Sequence, residues 1–163
     1  MGLLDTLLID CFVAPAKLED HDLRASVGEV PKGAVCMAFR LDSKAFRRAA
    51  NCLDGPCCDG LFAGVSPSGL RLLFVEMKGK DHARAFAQLE AAVTILRDDL
   101  GDMAGRATFL AVVISDKAAP RSMKTYQKAF MRRLSCTLVQ RSVPRGSTAD
   151  LREVLWPEAG VGE

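Results

Sequence analysis

The amino-acid sequence predicts an α/β fold in which a mixed β-sheet carries packed helices. Two apolar runs flank a short turn at residues 66–69, as in a β-hairpin. A helix with a regular apolar face follows the second run. Residues 108–115 then form a continuous apolar stretch, which is typical of a strand buried on both faces of a sheet. Because strands and helices alternate along the chain, we expect helices packed on a mixed sheet.

The elements can be assigned in order from residue 35. A strand at residues 35–41 precedes a short helix at residues 43–51, which Ser43 is expected to cap. The hairpin, the long helix and the buried strand follow at residues 59–78, 82–100 and 108–115. A second helix at residues 120–134 and a last strand at residues 136–143 complete the order. Residues 1–30 show less pattern, with a helix expected near the start and a loop around Pro15.

Turn chemistry and periodicity support the central elements. In the turn, Pro67 presets its own φ angle and Gly69 tolerates a left-handed exit, so a hairpin is favoured. The long helix carries apolar residues at intervals of three and four, which is the period of one helical face. These residues are Phe86, Leu89, Val93, Leu96 and Leu100.

Length and composition indicate one domain spanning residues 1–163. The chain has 163 residues, of which 49% are hydrophobic and 26% are charged, and this is enough for a sizeable core. No apolar run approaches the roughly 20 residues that a membrane-spanning helix needs. The N-terminus lacks the basic segment of a signal peptide, so a cytoplasmic protein without membrane contact is expected.

A cluster of charged residues falls at the end of the hairpin. Glu76 and Lys78 lie two residues apart on a strand and therefore point to the same face. A hairpin with a two-residue loop pairs residues whose numbers add to 135, which places Asp59 opposite Glu76. A three-residue loop would shift the register by one and separate the two carboxylates. Asp54, in the preceding turn, replaces Asp59 only if the hairpin is shifted.

Two adjacent carboxylates repel each other and favour a proton or a divalent cation between them. Oxygen ligands suit Mg²⁺ or Mn²⁺, which can polarise a phosphodiester and lower the pKa of a bound water. Lys78 could orient that water or offset negative charge. The alternative interpretation is an ordinary surface ion pair at a strand end.

The segments Cys58–Phe62 and Leu73–Gly79, followed by a helix carrying Gln88, resemble the PD-(D/E)xK nuclease superfamily over roughly residues 35–115. The resemblance implies a restriction-endonuclease-like αβββαβ core. It also implies that Asp59 and Glu76 bind the metal, that Lys78 acts on the water, and that Gln88 approaches the site. Unlike the family pattern, no proline directly precedes Asp59.

The C-terminal third is strongly basic. Residues 117–145 contain eight basic side chains and no acidic one. On the predicted second helix, four of them recur on one face beside an apolar stripe of Met123, Tyr126 and Phe130. These four, which we call the basic stripe, are Arg121, Lys124, Lys128 and Arg132. The stripe is expected to contact phosphates of a nucleic acid, with a solvated helix face as the alternative.

The sequence therefore predicts a Mg²⁺- or Mn²⁺-dependent nuclease whose expected substrate is DNA. A non-catalytic nucleic-acid-binding or assembly subunit of the same fold is the first alternative. A zinc or redox protein built on the six cysteines is the second, although reduced, buried thiols are favoured. His82 is left outside the catalytic set as a local helix-start residue. Targeting is expected to come from a homodimer or a protein partner.

Overall fold

The computed structural model describes residues 2–78 and 81–160, with residues 159 and 160 described by their backbone alone. The helices and strands of these residues are as follows. The α-helices are α1 (Leu3–Thr6), α2 (Lys44–Ala49), α3 (His82–Leu100), α4 (Met123–Leu134) and α5 (Arg152–Leu155). The strands are β1 (Phe12–Val13), β2 (Lys17–Asp20), β3 (Leu23–Ser26), β4 (Val35–Arg40), β5 (Gly60–Ser66), β6 (Gly69–Met77), β7 (Ala107–Ser115), β8 (Cys136–Ser142) and β9 (Thr148–Asp150). Helix α1 continues into a π-helical turn at Leu7–Cys11, and 3₁₀ segments occupy Gly101–Arg106 and Pro157–Gly160.

A mixed six-stranded sheet organises the chain in the order β1-β4-β5-β6-β7-β8. Among the first four strands of this order, each strand is antiparallel to its neighbour. Strands β6, β7 and β8 run parallel to one another. Strands β6 and β7 are joined by α3, and β7 and β8 by α4. The carboxyl ends of β6, β7 and β8 therefore meet at one edge of the sheet, and β5 begins at that same edge.

Two hydrophobic cores cover the two faces of this sheet. On one face, helices α1 to α4 pack against the sheet, and the core between them includes Phe46 of α2, Phe74 of β6 and Leu89 of α3. On the other face, a second sheet of order β2-β3-β9 and helix α5 bury Phe62 and Trp156. The α/β prediction, with a mixed sheet flanked by helices, is confirmed. No helix in the described part of the chain is long and apolar enough to cross a membrane.

The central elements agree with the sequence prediction. Residues 82–100 form α3, and Ser43 caps α2 by accepting a hydrogen bond from the Phe46 backbone N–H at 3.0 Å. Strand β7 is buried along most of its length between β6 and β8. The hairpin has the two-residue loop, since Ser66 pairs with Gly69, and Gly69 adopts a φ of 118° that side-chain-bearing residues rarely reach.

Three features of the structure differ from the sequence prediction. Helix α4 begins at Met123 instead of Pro120, because residues 121–122 form a turn closed by the Met123 N–H and the Pro120 carbonyl at 2.9 Å. Arg121 therefore precedes the helix. Strand β8 is not the last strand, because β9 follows it and pairs with β3. Residues 12–26 form three short strands that sequence periodicity did not indicate.

All six cysteines are free, and four of them are buried. Burial raises the pKa of the thiols at Cys36, Cys52, Cys57, Cys58 and Cys136. Because the thiolate is the reactive form, these thiols are less reactive than an exposed cysteine. The expectation that most of the thiols are buried is thus confirmed.

Candidate active site

The hairpin register brings Asp59 and Glu76 together. Gly60 pairs with Val75, so Asp59 and Glu76 lie one position beyond the last pair of β5 and β6. The backbone N–H of Asp59 donates to Glu76 Oε2 at 3.2 Å. The backbone N–H of Met77 donates to Asp59 Oδ2 at 2.6 Å. Asp59 therefore lies opposite Glu76, as the two-residue turn predicts. Each carboxylate accepts a hydrogen bond from a backbone N–H of the strand segment that carries the other.

Close packing beneath Asp59 fixes where β5 begins. A Cβ atom on Gly60 would lie 2.4 Å from Leu18 Cδ1 and 2.9 Å from the Phe39 carbonyl oxygen. Only glycine allows β2 and β4 to approach β5 this closely. The Asp59 backbone carbonyl in turn accepts from the Leu41 N–H at 3.0 Å. Asp59 is thus held from both neighbouring strands.

Glu76 is fully buried, which is uncommon for a carboxylate. Its Oε2 accepts from Asp59, but its Oε1 accepts no hydrogen bond within the described part of the chain. Lys78 Nζ lies 3.3 Å from Oε1 and forms an ion pair with it. Burial, followed by the negative charge of Asp59, raises the pKa of Glu76, whereas Lys78 partly opposes the rise.

Asp59 is partly buried, and its pKa is also raised, chiefly by burial. The hydrogen bond from Met77 opposes this effect, while the charges of Asp20 and Asp42 add to it. Two carboxyl groups with raised pKa values and one lysine therefore share a small volume. Such a group favours a proton on one of the carboxyls. When both carboxyls are ionised, it favours a bound cation.

Lys78 extends the end of β6 at the solvent side of the pair. Its backbone N–H donates to the Ile114 carbonyl at 2.8 Å, which continues the pairing of β6 with β7. Its side chain is 27% exposed, whereas the Glu76 side chain is not exposed at all. Lys78 and the partly buried Asp59 are therefore the members of the site that reach the surface, and Glu76 lies behind them.

Gln88 does not contact the carboxylates of Asp59 and Glu76. It contacts the backbone of the segment that precedes Asp59. It projects from the second turn of α3, and its Nε2 donates to the Cys57 carbonyl at 3.0 Å. Its Oε1 is buried without a hydrogen-bond partner in the described residues. This contact holds the segment that leads into Asp59, so Gln88 is placed to position Asp59.

Two other residues considered from the sequence lie outside the pair. His82 begins α3, and its ring centroid lies 6.4 Å from that of Phe86. Its buried Nε2 neither accepts nor donates a hydrogen bond within residues 2–78 and 81–160. Asp54 is exposed in the turn before β5. Since the hairpin register is as predicted, Asp54 is not needed in place of Asp59.

Sequence reasoning missed Asp20. This residue ends β2, and its negative charge contributes to the raised pKa of Asp59. It lines a cleft of about 200 Å³ on the other side of β6, together with Met77, Asp116 and Arg145. Because Asp20 approaches through the second sheet, only recognition of the β2–β3 hairpin could have indicated it.

Three members of the basic stripe lie along the exposed face of α4. Lys124, Lys128 and Arg132 are exposed, while Met123 and Phe130 are buried beneath them. The apolar stripe packs as expected, with the Tyr126 ring 4.0 Å from that of Phe86. Arg121 is also exposed but lies in the turn before α4, so it is not part of the helical row.

The donor atoms of the pair fit a magnesium-type ion. Glu76 Oε1 and Asp59 Oδ1 accept no hydrogen bond within the described residues. No group of three or more histidine, cysteine or acidic side chains in residues 2–78 and 81–160 is arranged to hold a metal. Mg²⁺ commonly binds one or two carboxylates and completes its shell with water and substrate phosphate. Asp59 Oδ1 and Glu76 Oε1 are therefore the oxygens that could hold such an ion, and Lys78 Nζ lies 3.3 Å from Oε1.

Comparison with models of known protein families gives no match, and searches of curated proteins and solved structures give no significant similarity.

Proposed function

We propose that this chain is a metal-dependent nuclease of the PD-(D/E)xK type that hydrolyses phosphodiester bonds of nucleic acid, with DNA as the expected substrate. The observation that carries the proposal is the contact of the fully buried Glu76 with both Asp59 and Lys78. Burying a carboxylate beside a second carboxylate is costly. A bound cation offsets that cost, and a purely structural ion pair does not need the second acid.

The arrangement of strands adds support. Strands β4, β5 and β6 are antiparallel neighbours in the sheet and are followed by α3 and by β7 parallel to β6. Helix α2 lies between β4 and β5, and apart from it this order agrees with the βββαβ part of a restriction-endonuclease-like core. The three candidate side chains lie where such a core carries its site, at the start of the second strand and the end of the third.

Asp59 and Glu76 would hold Mg²⁺ or Mn²⁺ through Oδ1 and Oε1, the oxygens that do not accept the backbone hydrogen bonds. When bound, the ion supplies Lewis-acid polarisation of the phosphodiester and lowers the pKa of a coordinated water.

The chain's own groups supply orientation and charge. Lys78 carries a positive charge beside Glu76 at the exposed side of the site, where it can donate a hydrogen bond to the attacking water and offset the charge that develops on the phosphate. Because Glu76 is removed from solvent, charges act on one another more strongly there than in water. Gln88 keeps the Cys57 carbonyl, and through it Asp59, in position.

A cleavage assay tests the proposal. Supercoiled plasmid, linear duplex and single-stranded oligonucleotides are incubated with the protein, with Mg²⁺, with Mn²⁺ or with EDTA. Cleavage that requires the metal supports the nuclease. Metal-independent binding without cleavage of any of these substrates identifies the non-catalytic subunit instead.

A further inference from the structure

Helix α4 presents a row of three cations that winds slowly around the helix, by about 40° at each step. Lys124, Lys128 and Arg132 recur every four residues, so their Cα atoms are spaced by roughly 6 Å along the helix axis. The buried residues Met123 and Phe130 fix the rotation of the helix. The row is therefore held outward by the core packing of the opposite face.

These cations are not neutralised by the protein. Within the described residues, no carboxylate forms an ion pair with Lys124, Lys128 or Arg132. Their basic neighbours differ: Arg133 pairs with Glu90, and Lys117 and Arg145 both pair with Asp116. Three of the five basic side chains in residues 117–145 that form no ion pair within the described residues therefore lie on one face of α4, and the other two are Arg121 and Arg141.

We propose that this row binds the backbone of a single-stranded polynucleotide, with one phosphate at each cation; the inference rests on the proposed nuclease function and names the form of its substrate. A spacing of roughly 6 Å is compatible with successive phosphates of one strand, each of which carries a negative charge. An extended, unstacked strand can lie along the whole row.

The surface beside the cations favours the same form. A groove of about 590 Å³ runs along α4 and is lined by Lys128 and Arg132 together with Thr125, Ala129 and Met131. Met131 is 51% exposed. The outer surface of a duplex offers phosphates and sugars to a protein, but its bases are stacked inside. A single strand can place bases against the methionine and alanine side chains while its phosphates meet the cations.

The row also leads toward the candidate active site. The first turns of α3 and α4 pack together through Phe86 and Tyr126, whose ring centroids lie 4.0 Å apart. Helix α3 begins four residues after Lys78, and α4 follows the end of β7, to which Lys78 is hydrogen-bonded. A strand running from Arg132 toward Lys124 thus approaches the edge of the sheet that carries Glu76 and Lys78.

The test is a salt titration of binding, measured by fluorescence anisotropy in EDTA with labelled oligothymidylate, oligouridylate and a duplex of equal length. We expect tighter binding of the single strands than of the duplex. Lys128→Ala/Arg132→Ala should flatten the slope of log affinity against log salt by roughly 1.4, because each lost single-strand contact removes about 0.7. The matched control, Lys44→Ala/Arg48→Ala, removes two exposed cations spaced by four residues on α2 and should leave the slope unchanged.

Equal effects of the two double variants, or tighter binding of the duplex, would overturn the inference. Competition by anionic lipid vesicles but not by unlabelled single strands would also overturn it and would indicate a membrane surface. The two proposals fail separately. If the unaltered protein cleaves with metal but Lys128→Ala/Arg132→Ala leaves the salt slope unchanged, the role of the row is rejected and the nuclease is retained. If the slope flattens but the unaltered protein does not cleave, the role of the row is retained and the nuclease is rejected.

Discussion

Asp59 and Glu76 hold each other through backbone hydrogen bonds from their own strand segments. The N–H of Asp59 donates to Glu76 Oε2, and the N–H of Met77, the residue after Glu76, donates to Asp59 Oδ2. One oxygen of each carboxyl accepts one of these bonds, and Lys78 Nζ lies 3.3 Å from the other oxygen of Glu76. The two side chains are therefore oriented before any ligand binds, so little reorganisation is needed to form the proposed site.

Stability should depend on pH through this pair. Both pKa values are raised on folding, chiefly by burial, above the value near 4 of an unfolded carboxyl. The stabilisation is therefore complete below that value and is lost as pH rises through the raised values. The lowered pKa values of Asp116 and Glu158 act in the opposite sense, below about pH 4. Without divalent ions, the melting temperature should fall between pH 5 and pH 9.

The variant Glu76→Gln should flatten this dependence, because the amide keeps the shape of the side chain but does not ionise. Thermal denaturation at pH 5, 7 and 9 in EDTA measures it. At pH 9 the variant should melt a few degrees above the unaltered protein, since about 1 kcal/mol corresponds to 2–4 °C in a domain of this size. Glu153→Gln, an exposed position on α5, is the control. Parallel pH profiles for all three proteins would contradict the role of burial at Glu76.

Added Mg²⁺ should stabilise the protein at pH 8, because it replaces the missing protons between the two carboxylates. A free-ligand concentration of 100 times Kd raises the unfolding free energy by about 2.7 kcal/mol. Asp59→Asn and Glu76→Gln should lose this response. Lys78→Ala should keep it, because the lysine is not a ligand and its positive charge opposes a cation at Oε1. Isothermal calorimetry provides Kd, and an undiminished heat signal with Glu76→Gln would place the ion elsewhere.

Gln88→Leu should loosen the segment that carries Asp59. The change removes the donor to the Cys57 carbonyl and leaves that buried group unpaired, at a cost of about 1–3 kcal/mol. The matched control is Gln127→Leu, which removes a bond of the same kind and length, 3.0 Å, from α4 to the Leu138 carbonyl. Both variants should melt at lower temperature, but only Gln88→Leu should weaken Mg²⁺ binding. Equal Mg²⁺ affinities of the two variants would make Gln88 a stability residue alone.

The contact of Asp59 with Glu76 could be predicted as one of two alternatives because it is local to one hairpin. Pro67 and Gly69 favour a hairpin, and the two-residue loop, which the structure has, gives the register that places Asp59 opposite Glu76. The buried strand β7 was predictable from its continuous apolar composition. Neither inference required knowledge of distant contacts.

The second sheet was not predictable because its strands are short and one of its two pairings joins distant parts of the chain. Strand β9, of three residues, pairs with β3 more than 120 residues earlier, and neither is long enough to show a period. The approach of Asp20 to Asp59 depends on that sheet, as does the close packing on Gly60. The complete burial of Glu76 likewise depends on how the helices pack over the sheet, which its spacing from Lys78 does not determine.

The most direct measurement is single-turnover cleavage of a labelled single-stranded oligonucleotide at pH 8 with Mg²⁺, by the unaltered protein, Lys78→Ala, Glu76→Gln and the exposed-lysine control Lys32→Ala. We expect both site variants to remain folded and to lose at least about a hundredfold in rate, the scale of a positioned catalytic group. Lys78→Ala should still bind Mg²⁺, and the control should cleave at the unaltered rate. Cleavage by Lys78→Ala and Glu76→Gln at the unaltered rate would contradict the assignment of the active site to Asp59, Glu76 and Lys78.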